Sequence, residues 1–552
     1  MKPFLFSLII LLLFLHLPPL SLSLELFTDG RWILNESGHR VKLACVNWAS
    51  HIDTMVTEGL SKQPLATITA YIAALGFNCV RLTYATYMVT REEFLHLPVR
   101  QSLLNLGLKS AVDGILAHNP NVIDLTLVES FKVSFIFSFS LLLFVHEFIH
   151  DIDINLIVNF FHCLQTVIQS LEKQNIMVII DNHVSKPMWC CSGNDGNGFF
   201  GDVYFSVAEW QQGWTIMATL FHDSPNVIAM SLRNELRGYN QNSADWDTYM
   251  ISGAETIHKV NPKVLVIFSG MDFDKDLSFL DPNRVRLSFE KKLVFEVHWY
   301  GFNNADQWNN GNLNQVCSKI SNNLMKNAGF LLDNGFPLFM SEFGIDQRGG
   351  NTADNRYLTC FLAFAIELDI EWAIWTLHAS YYIRDGIPDM EEDYSVLSYD
   401  WASPRNVTIL RILSSIQVPY IGPLPVQVPE FKMLYHPLSG RCVLRSNSGK
   451  QAVLGRCSKT EAWANDNGVL KIQGTELCLH ADGAEQPVTL GANCGGTDSK
   501  WDVISATNMQ FSSQSSGSIC LDTGPNARDL VTNPCRALAN DTAEADIAVI
   551  FR

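Results

Sequence analysis

Two apolar runs of this chain end in glutamates. Val227-Ile-Ala-Met-Ser-Leu232 leads into Arg233-Asn234-Glu235, and Pro337-Leu-Phe-Met340 leads into Ser341-Glu342. An apolar run of this length reads as a strand buried on both faces. A carboxylate at its C-terminal end then lies at the mouth of a parallel α/β fold, where such folds keep their chemistry. Two facing carboxylates are the minimum equipment for cutting a glycosidic bond. One, held protonated, donates to the leaving oxygen, and the other, ionised, attacks the anomeric carbon. A separation of ~5–5.5 Å makes the reaction a retaining one.

Other patterns carry less. His146-Glu147-Phe-Ile-His150 matches the H-E-x-x-H zinc motif, in which two histidines on one helix face ligate the metal and the glutamate acts as base. No third ligand follows at a helpful spacing, so the match reads as chance and a zinc protease is set aside. The loop 189–198, Trp-Cys-Cys-Ser-Gly-Asn-Asp-Gly-Asn-Gly, holds Asn194, Asp195 and Asn197. It lacks the closing glutamate of a calcium loop and reads as a shaped rim beside the substrate. No metal and no cofactor are expected.

Both glutamates need elements to hold them. Strand-like runs fall at 41–48, 78–83, 177–182, 227–232, 264–269, 293–298, 337–342 and 371–375, with helical patterns between them. Eight such units predict a (β/α)8 barrel over residues 24–415. Each run ends in polar or aromatic side chains: Asn47-Trp48, Arg81 and Tyr84, Asp181-Asn182-His183, Asn234-Glu235, Ser269, His298 and Tyr300, Glu342, and Trp375. A structural core has no need of such a collection.

At 552 residues the chain exceeds one ordinary domain, and 47 % apolar residues suffice for a large core. A formal charge of −17 argues against nucleic acid as a partner. Thirteen tryptophans and 33 phenylalanines suit flat ligands such as sugar rings. Residues 1–23 read as a secretory signal: Lys2, an apolar core, then Pro18-Pro19 and small residues. The expected protein is therefore secreted, to the extracellular space or cell wall, with no integral membrane association. Sequons at Asn35, Asn406 and Asn540 agree with this route.

Residues 132–163 break the pattern. Residues 133–145 are almost wholly apolar, yet too short for a membrane span of ~20 residues. With 132–163 removed, Val128, Phe131, Leu164, Val167, Ile168 and Leu171 form one amphipathic stripe, opened by a capping box at Thr126 and Glu129. The segment reads as a retained intron, with a hydrophobic hairpin on the barrel's outside as the alternative. Seven cysteines precede residue 416, an odd number that becomes even without Cys163. A pairing of Cys190 or Cys191 with Cys317 is expected.

Residues 416–430 are Pro-rich and read as a stiff linker. Residues 431–552 then turn rich in Gly, Ser, Asn and Thr, so an all-β domain is expected. Its cysteines pair off at 15, 16 and 15 residues: Cys442/Cys457, Cys478/Cys494 and Cys520/Cys535. Three copies of roughly 40 residues predict a threefold unit with one disulfide per lobe.

Two resemblances follow. The tail resembles the ricin B-type β-trefoil, a carbohydrate-binding module with a Gln-x-Trp signature after each lobe's second cysteine. Here Glu461-Ala-Trp463 and Ser499-Lys-Trp501 stand in that place, and the third lobe has no tryptophan. The resemblance makes Asp522, Trp463 and Trp501 the candidates for sugar contact, against a structural domain without affinity. The body, from Gly76-Phe-Asn-Cys-Val-Arg-Leu82 through Ile180-Asp-Asn-His183, Arg233-Asn-Glu-Leu236, Glu296-Val-His-Trp-Tyr300 and Ser341-Glu-Phe-Gly344 to Trp372-Ala-Ile-Trp375, resembles glycoside hydrolase family 5, the cellulase A-type barrels. That resemblance implies Glu235 as acid/base and Glu342 as nucleophile. Arg81 and Tyr300 would hold Glu342 ionised, and Asn234 would bind a sugar 2-hydroxyl. His298 would bond the substrate or the acid/base, and His183 is either such a contact or a structural histidine. Trp375 would be the sugar platform, with Trp48 as second candidate. The expected protein is a monomeric retaining β-glycosidase acting on a glucan- or mannan-type polymer. The alternative is a catalytically inactive carbohydrate-binding protein.

Overall fold

The computed structural model describes residues 24–131, 166–281, 285–423, 432–505, 507 and 509–535. The signal segment, residues 132–163 with their histidine motif, Leu164, residues 424–430 of the Pro-rich stretch and Asn540 lie outside the described residues.

An antiparallel hairpin comes first, β1 (Leu26–Asp29) and β2 (Trp32–Asn35). The eight expected strands follow: β3 (Ala44–Trp48), β4 (Cys79–Ala85), β5 (Met177–Val184), β6 (Val227–Ser231), β7 (Leu265–Phe268), β8 (Leu293–His298), β9 (Leu338–Phe343) and β10 (Glu371–Ile374). They run parallel and close into a barrel, with β10 pairing back onto β3. Both parities of each strand are apolar because both faces are buried. Cys45, Cys79, Ile179, Ala229, Ile267, Phe339 and Ala373 pack inside the barrel. Val46, Val80, Ile180, Met230, Phe295, Met340 and Ile374 pack outward against the helices. The hairpin plugs the N-terminal end: Leu26 and Ile33 join the interior cluster, and Thr28 N–H donates to Lys291 just before β8.

Two residues further along the strands the interior turns polar. Asn47, Arg81, Asp181, Ser231, Glu296 and Ser341 form that layer and are fully buried. Above it, β9 departs from regular pairing. Val297 is level with Met340, but His298 is level with Glu342, so one extra residue is inserted at Ser341–Glu342. A bulge re-aims side chains. Here it lets two consecutive residues, Ser341 and Glu342, both reach His298.

The capping box forms as read: Thr126 N–H donates to Glu129 Oε2 at 2.9 Å, and Glu129 N–H to Thr126 Oγ1 at 3.2 Å. It opens the helix Leu127–Phe131. The helix Val167–Lys173 begins on a cap of its own, Thr166. Phe131, Val167, Ile168 and Leu171 are all buried. These two helices flank residues 132–163.

The barrel's packing runs past residue 415. Tyr420 and Ile421 N–H groups donate to Asp369 at 2.8 and 2.7 Å, so the start of the Pro-rich stretch is tied to the barrel. The tail forms three antiparallel sheets of three, four and four strands. Its disulfides pair as the spacing predicts: Cys442–Cys457, Cys478–Cys494 and Cys520–Cys535. Trp463 and Trp501 do not offer faces to a ligand. They are 0 % and 2 % exposed, and their indole N–H groups donate to Val443 and Leu479 carbonyls. Each closes the core of the β domain, as a large aromatic does when its one polar atom finds a partner. The tail docks on the barrel, with Tyr435 bonded to Ser415 at 2.8 Å and Thr507 to Asn314 at 2.7 Å.

The expected link from Cys190 or Cys191 to Cys317 does not form. Cys317, on the helix Leu313–Leu324, joins Cys360 on the helix Thr352–Leu368; Cys45 on β3 joins Cys79 on the adjacent β4; and Cys190 joins its neighbour Cys191. Packing of neighbouring strands and helices brings Cys45 to Cys79 and Cys317 to Cys360, and sequence spacing does not report it.

Candidate active site

The C-terminal ends of the strands surround a cavity of about 590 Å³, within the range of small-ligand sites. Its walls include His183, Asn234, Glu235, His298, Tyr300, Glu342 and Trp375, brought there from strands β5, β6, β8, β9 and β10. Arg81 lies beneath it, wholly buried.

Glu235 and Glu342 face each other across His298. An oxygen of each carboxylate and a ring nitrogen of His298 all lie within 4.8 Å of one another. His298 Nδ1 is 3.0 Å from Glu235 and 3.7 Å from Glu342, while its Nε2 bonds Ser341 Oγ at 3.0 Å.

Glu342 is held from two sides. Arg81 donates to Oε1 at 2.8 Å and the Tyr300 hydroxyl donates to Oε2 at 2.9 Å. Arg81 also donates to Asn47, Asp181 and Asn234. Burial works against the guanidinium charge, but Asp181, Glu296 and Glu342 outweigh it and raise its pKa. Both donors favour the ionised carboxylate, the role expected of Arg81 and Tyr300. Burial pushes Glu342 up, against the opposing pull of His298 and Arg81.

Glu235 is displaced in the same direction. Burial raises its pKa to about 7, although Arg237, Arg81 and Lys275 pull the other way. Its backbone is left-handed, with φ of 44°. Such a conformation costs a non-glycine residue on the order of 1 kcal/mol and is kept only where the surroundings impose it. Asp274 does so by accepting the Glu235 N–H at 2.9 Å, and Arg237 by donating to the Glu235 carbonyl at 2.7 Å. The two arginines that flank Asn234-Glu235 in sequence thus organise the rim. Arg237 reaches Asp195 at 2.7 Å, and Arg233 bonds Asn182, Ser185 and the Asn197 carbonyl. Asp195 also accepts the Ser192 and Asn197 N–H groups, so the loop 189–198 is shaped by hydrogen bonds from the protein itself.

His183 Nδ1 bonds Asp181 at 2.7 Å, and burial drives its pKa well below that of a free histidine. His183 stacks on His51 on one side, 3.9 Å between centroids, and is near-parallel to Trp375 at 5.6 Å. Trp375 lines the cavity. Trp48 does not: it is wholly buried and its indole N–H donates to the Glu58 carbonyl. Two triads place metal-ligating atoms within 4.8 Å of one another, His183 with Cys190 and Cys191, and Glu235 with His298 and Glu342. In the first the sulfurs are already bonded to each other.

Several residues of the site escaped the sequence reading. Asp274 and Glu296 are buried acids held above the usual range by burial, with Glu296 adding to the shift of Asp274 and Asp181 to that of Glu296. Asp274 lies after β7 in a turn whose residues Asp272, Phe273 and Asp274 all have positive φ, and no motif marks it. Glu296 had a signal, being a charge in the middle of the apolar run of β8. Trp189, Phe273, Lys275, Phe302 and Arg384 line the cavity from the segments that follow the barrel strands.

Comparison with known proteins fits this geometry. A relative in Chamaecyparis obtusa, described as a glycosyl hydrolase 5 family protein, is 41 % identical over 544 residues, covering 95 % of this chain and 91 % of that protein. The chain belongs to glycosyl hydrolase family 5. The family signature "Cellulase (glycosyl hydrolase family 5)" matches residues 138–380. Among solved structures, the hyperthermophilic endocellulase of the archaeon Pyrococcus horikoshii superposes with a TM-score of 0.53 at 18 % identity, over 72 % of this chain and all of that one. The catalytic domain of the major endoglucanase of Xanthomonas campestris pv. campestris gives 0.52 at 18 % identity, over 71 % of this chain and 99 % of that one. These likenesses support the barrel. As a family 5 protein this chain is a glycoside hydrolase with a carbohydrate substrate, and no helix among the described residues is long and apolar enough to cross a membrane.

Proposed function

We propose that this glycoside hydrolase is a secreted retaining β-glycosidase that cuts a neutral β-linked polysaccharide of glucan or mannan type. The observation that carries the reading is the approach of the Glu235 and Glu342 carboxylates to within 4.8 Å. That separation suits direct attack on the anomeric carbon and leaves no room for the water that an inverting pair must hold.

In this reading Glu342 is the nucleophile and Glu235 the acid/base. Glu235, with its pKa near 7, carries a proton at mildly acidic pH and gives it to the leaving oxygen as Glu342 attacks. Once the leaving group departs, Glu235 takes a proton from water, which then releases the sugar from Glu342. The bonds from Arg81 and Tyr300 orient the attacking carboxylate. Asn234 would bind the sugar's 2-hydroxyl, Trp375 would lie under the ring, and neutral His183 and His298 would accept or donate at the substrate's hydroxyls. The structural neighbours named endocellulase and endoglucanase favour a glucan. Six disulfides suit an extracellular enzyme.

For the β domain we propose a trefoil with one sugar-binding lobe, the third. Asp522 is the acid there, and Asn533 donates to its Oδ2 at 2.6 Å.

The test is hydrolysis of β-glucan, mannan and xylan by the wild type and by Glu342→Gln. The variant should lose at least ~10³-fold in kcat, and the first product of the wild type should keep the β configuration by NMR. An inverted product would overturn the retaining reading. An inactive wild type would favour a carbohydrate-binding protein without catalysis.

A further inference from the structure

Cys190 and Cys191 are neighbours in sequence and are bonded to each other, and both line the catalytic cavity. Cys190 is buried and Cys191 partly so, at the start of the rim loop just after Trp189. The pair does not tie distant parts of the chain together. A disulfide closing a loop of one residue removes little freedom from the unfolded chain, so ordinary cross-linking stabilisation does not account for it.

Its surroundings do. Both sulfurs lie within 4.8 Å of a ring nitrogen of His183. The Asn234 amide nitrogen sits 3.8 Å from Cys190 Sγ and 3.7 Å from Cys191 Sγ. Asn234 Oδ1 is already committed, accepting from Arg81 at 2.9 Å. The amide N–H groups therefore point at the sulfurs and, among the described residues, find no oxygen acceptor. A bonded sulfur is a weak acceptor, much poorer than a carbonyl. The amide thus stays available to a stronger acceptor, such as a hydroxyl oxygen of a ligand in the cavity. The two sulfurs also make a small, polarisable, donor-free surface, which suits contact with C–H groups.

We infer that the Cys190–Cys191 disulfide is a substrate-binding platform: it packs against the C–H surface of the pyranose ring held by Asn234 and keeps the Asn234 amide free for that sugar's hydroxyl. This rests on the reading of the cavity as a β-glycan site. Opened to two thiols, the pair would present separated, bulkier sulfurs beside Asn234, and the platform would be lost.

Binding is the direct test, measured without turnover. Glu342→Gln protein is titrated calorimetrically with cellotetraose and with mannotetraose. Cys190→Ala/Cys191→Ala is then made in that background, and its melting temperature is recorded alongside. The expected result is at least ~10-fold weaker binding with a melting temperature within a few degrees of the parent. Unchanged affinity overturns the proposal. A parent that binds neither tetrasaccharide overturns the β-glycan reading as well, and is told apart because the cysteines are then intact. If the double variant does not fold, the parent itself serves: mild phosphine reduction followed by iodoacetamide, with peptide mapping, reads the accessibility of Cys190 and Cys191. Saturating tetrasaccharide should slow their labelling at least ~10-fold, and equal labelling with and without sugar overturns the platform.

Discussion

At the scale of single residues the site is a contest between burial and charge. Five carboxylates, Asp181, Glu235, Asp274, Glu296 and Glu342, gather around one guanidinium, Arg81, and burial raises all five. The pH–rate profile should be a bell, with an alkaline limb near pH 7 set by Glu235 and an acid limb above the usual glutamate range set by Glu342. Lys275→Met should move the alkaline limb to higher pH, because Lys275 is one of the cations that pull Glu235 down. A limb that stays in place would show that another group governs it. Glu235 also links stability to pH. Its folded pKa of about 7 lies above that of an unfolded glutamate, so its contribution is complete below about pH 4 and is lost as pH rises through 7. Glu235→Gln removes that loss, and should stabilise the protein by up to about 3 kcal/mol at pH 8 and little at pH 4, read from urea unfolding at the two values.

At the scale of elements, strands deliver side chains and loops aim them. The run ending in Glu235 is visible in sequence because both faces of β6 are buried. The left-handed turn at Glu235 is not, since Asp274 imposes it from a different loop. The bulge in β9 is likewise silent in sequence: regular alternation would send Ser341 and Glu342 to opposite faces. The opposite end of the barrel depends on Asp369, itself left-handed at the end of the helix Thr352–Leu368. It accepts from Lys42 at 2.9 Å, from Arg40, and from the N–H groups of Tyr420 and Ile421. Asp369→Ala leaves Lys42 buried without its carboxylate partner and should cost about 3–5 kcal/mol in chemical unfolding. A loss under ~1 kcal/mol would show that the carbonyls around Lys42 suffice.

At the scale of the whole molecule, the barrel and the β domain are docked, and residues 132–163 fall in sequence between two helices of the barrel. The capped helices Leu127–Phe131 and Val167–Lys173 both bury their apolar residues on the barrel core. We propose that the segment is translated from an intron. A chain with Phe131 joined to Leu164 should fold, melt no lower than the full chain and turn over β-glucan at least as fast. Amplifying the transcript across this junction is the second check: a message that always carries the segment would sink the proposal.

The sequence alone determined the eight strands, the two glutamates at their ends and the three disulfides of the tail. Each is a local or periodic signal. Two-sided burial writes an unbroken apolar run, and a repeated lobe writes its cysteines at a repeated spacing. Only the tertiary structure decided which sulfurs of the barrel meet, that Trp48, Trp463 and Trp501 serve cores, and that Asp274 and the rim arginines shape the turn at Glu235. Apart from the adjacent Cys190–Cys191 pair and the bond from Arg237 to the Glu235 carbonyl, these depend on contacts between residues ten to hundreds apart in sequence, made when the chain folds, and no local pattern reports them.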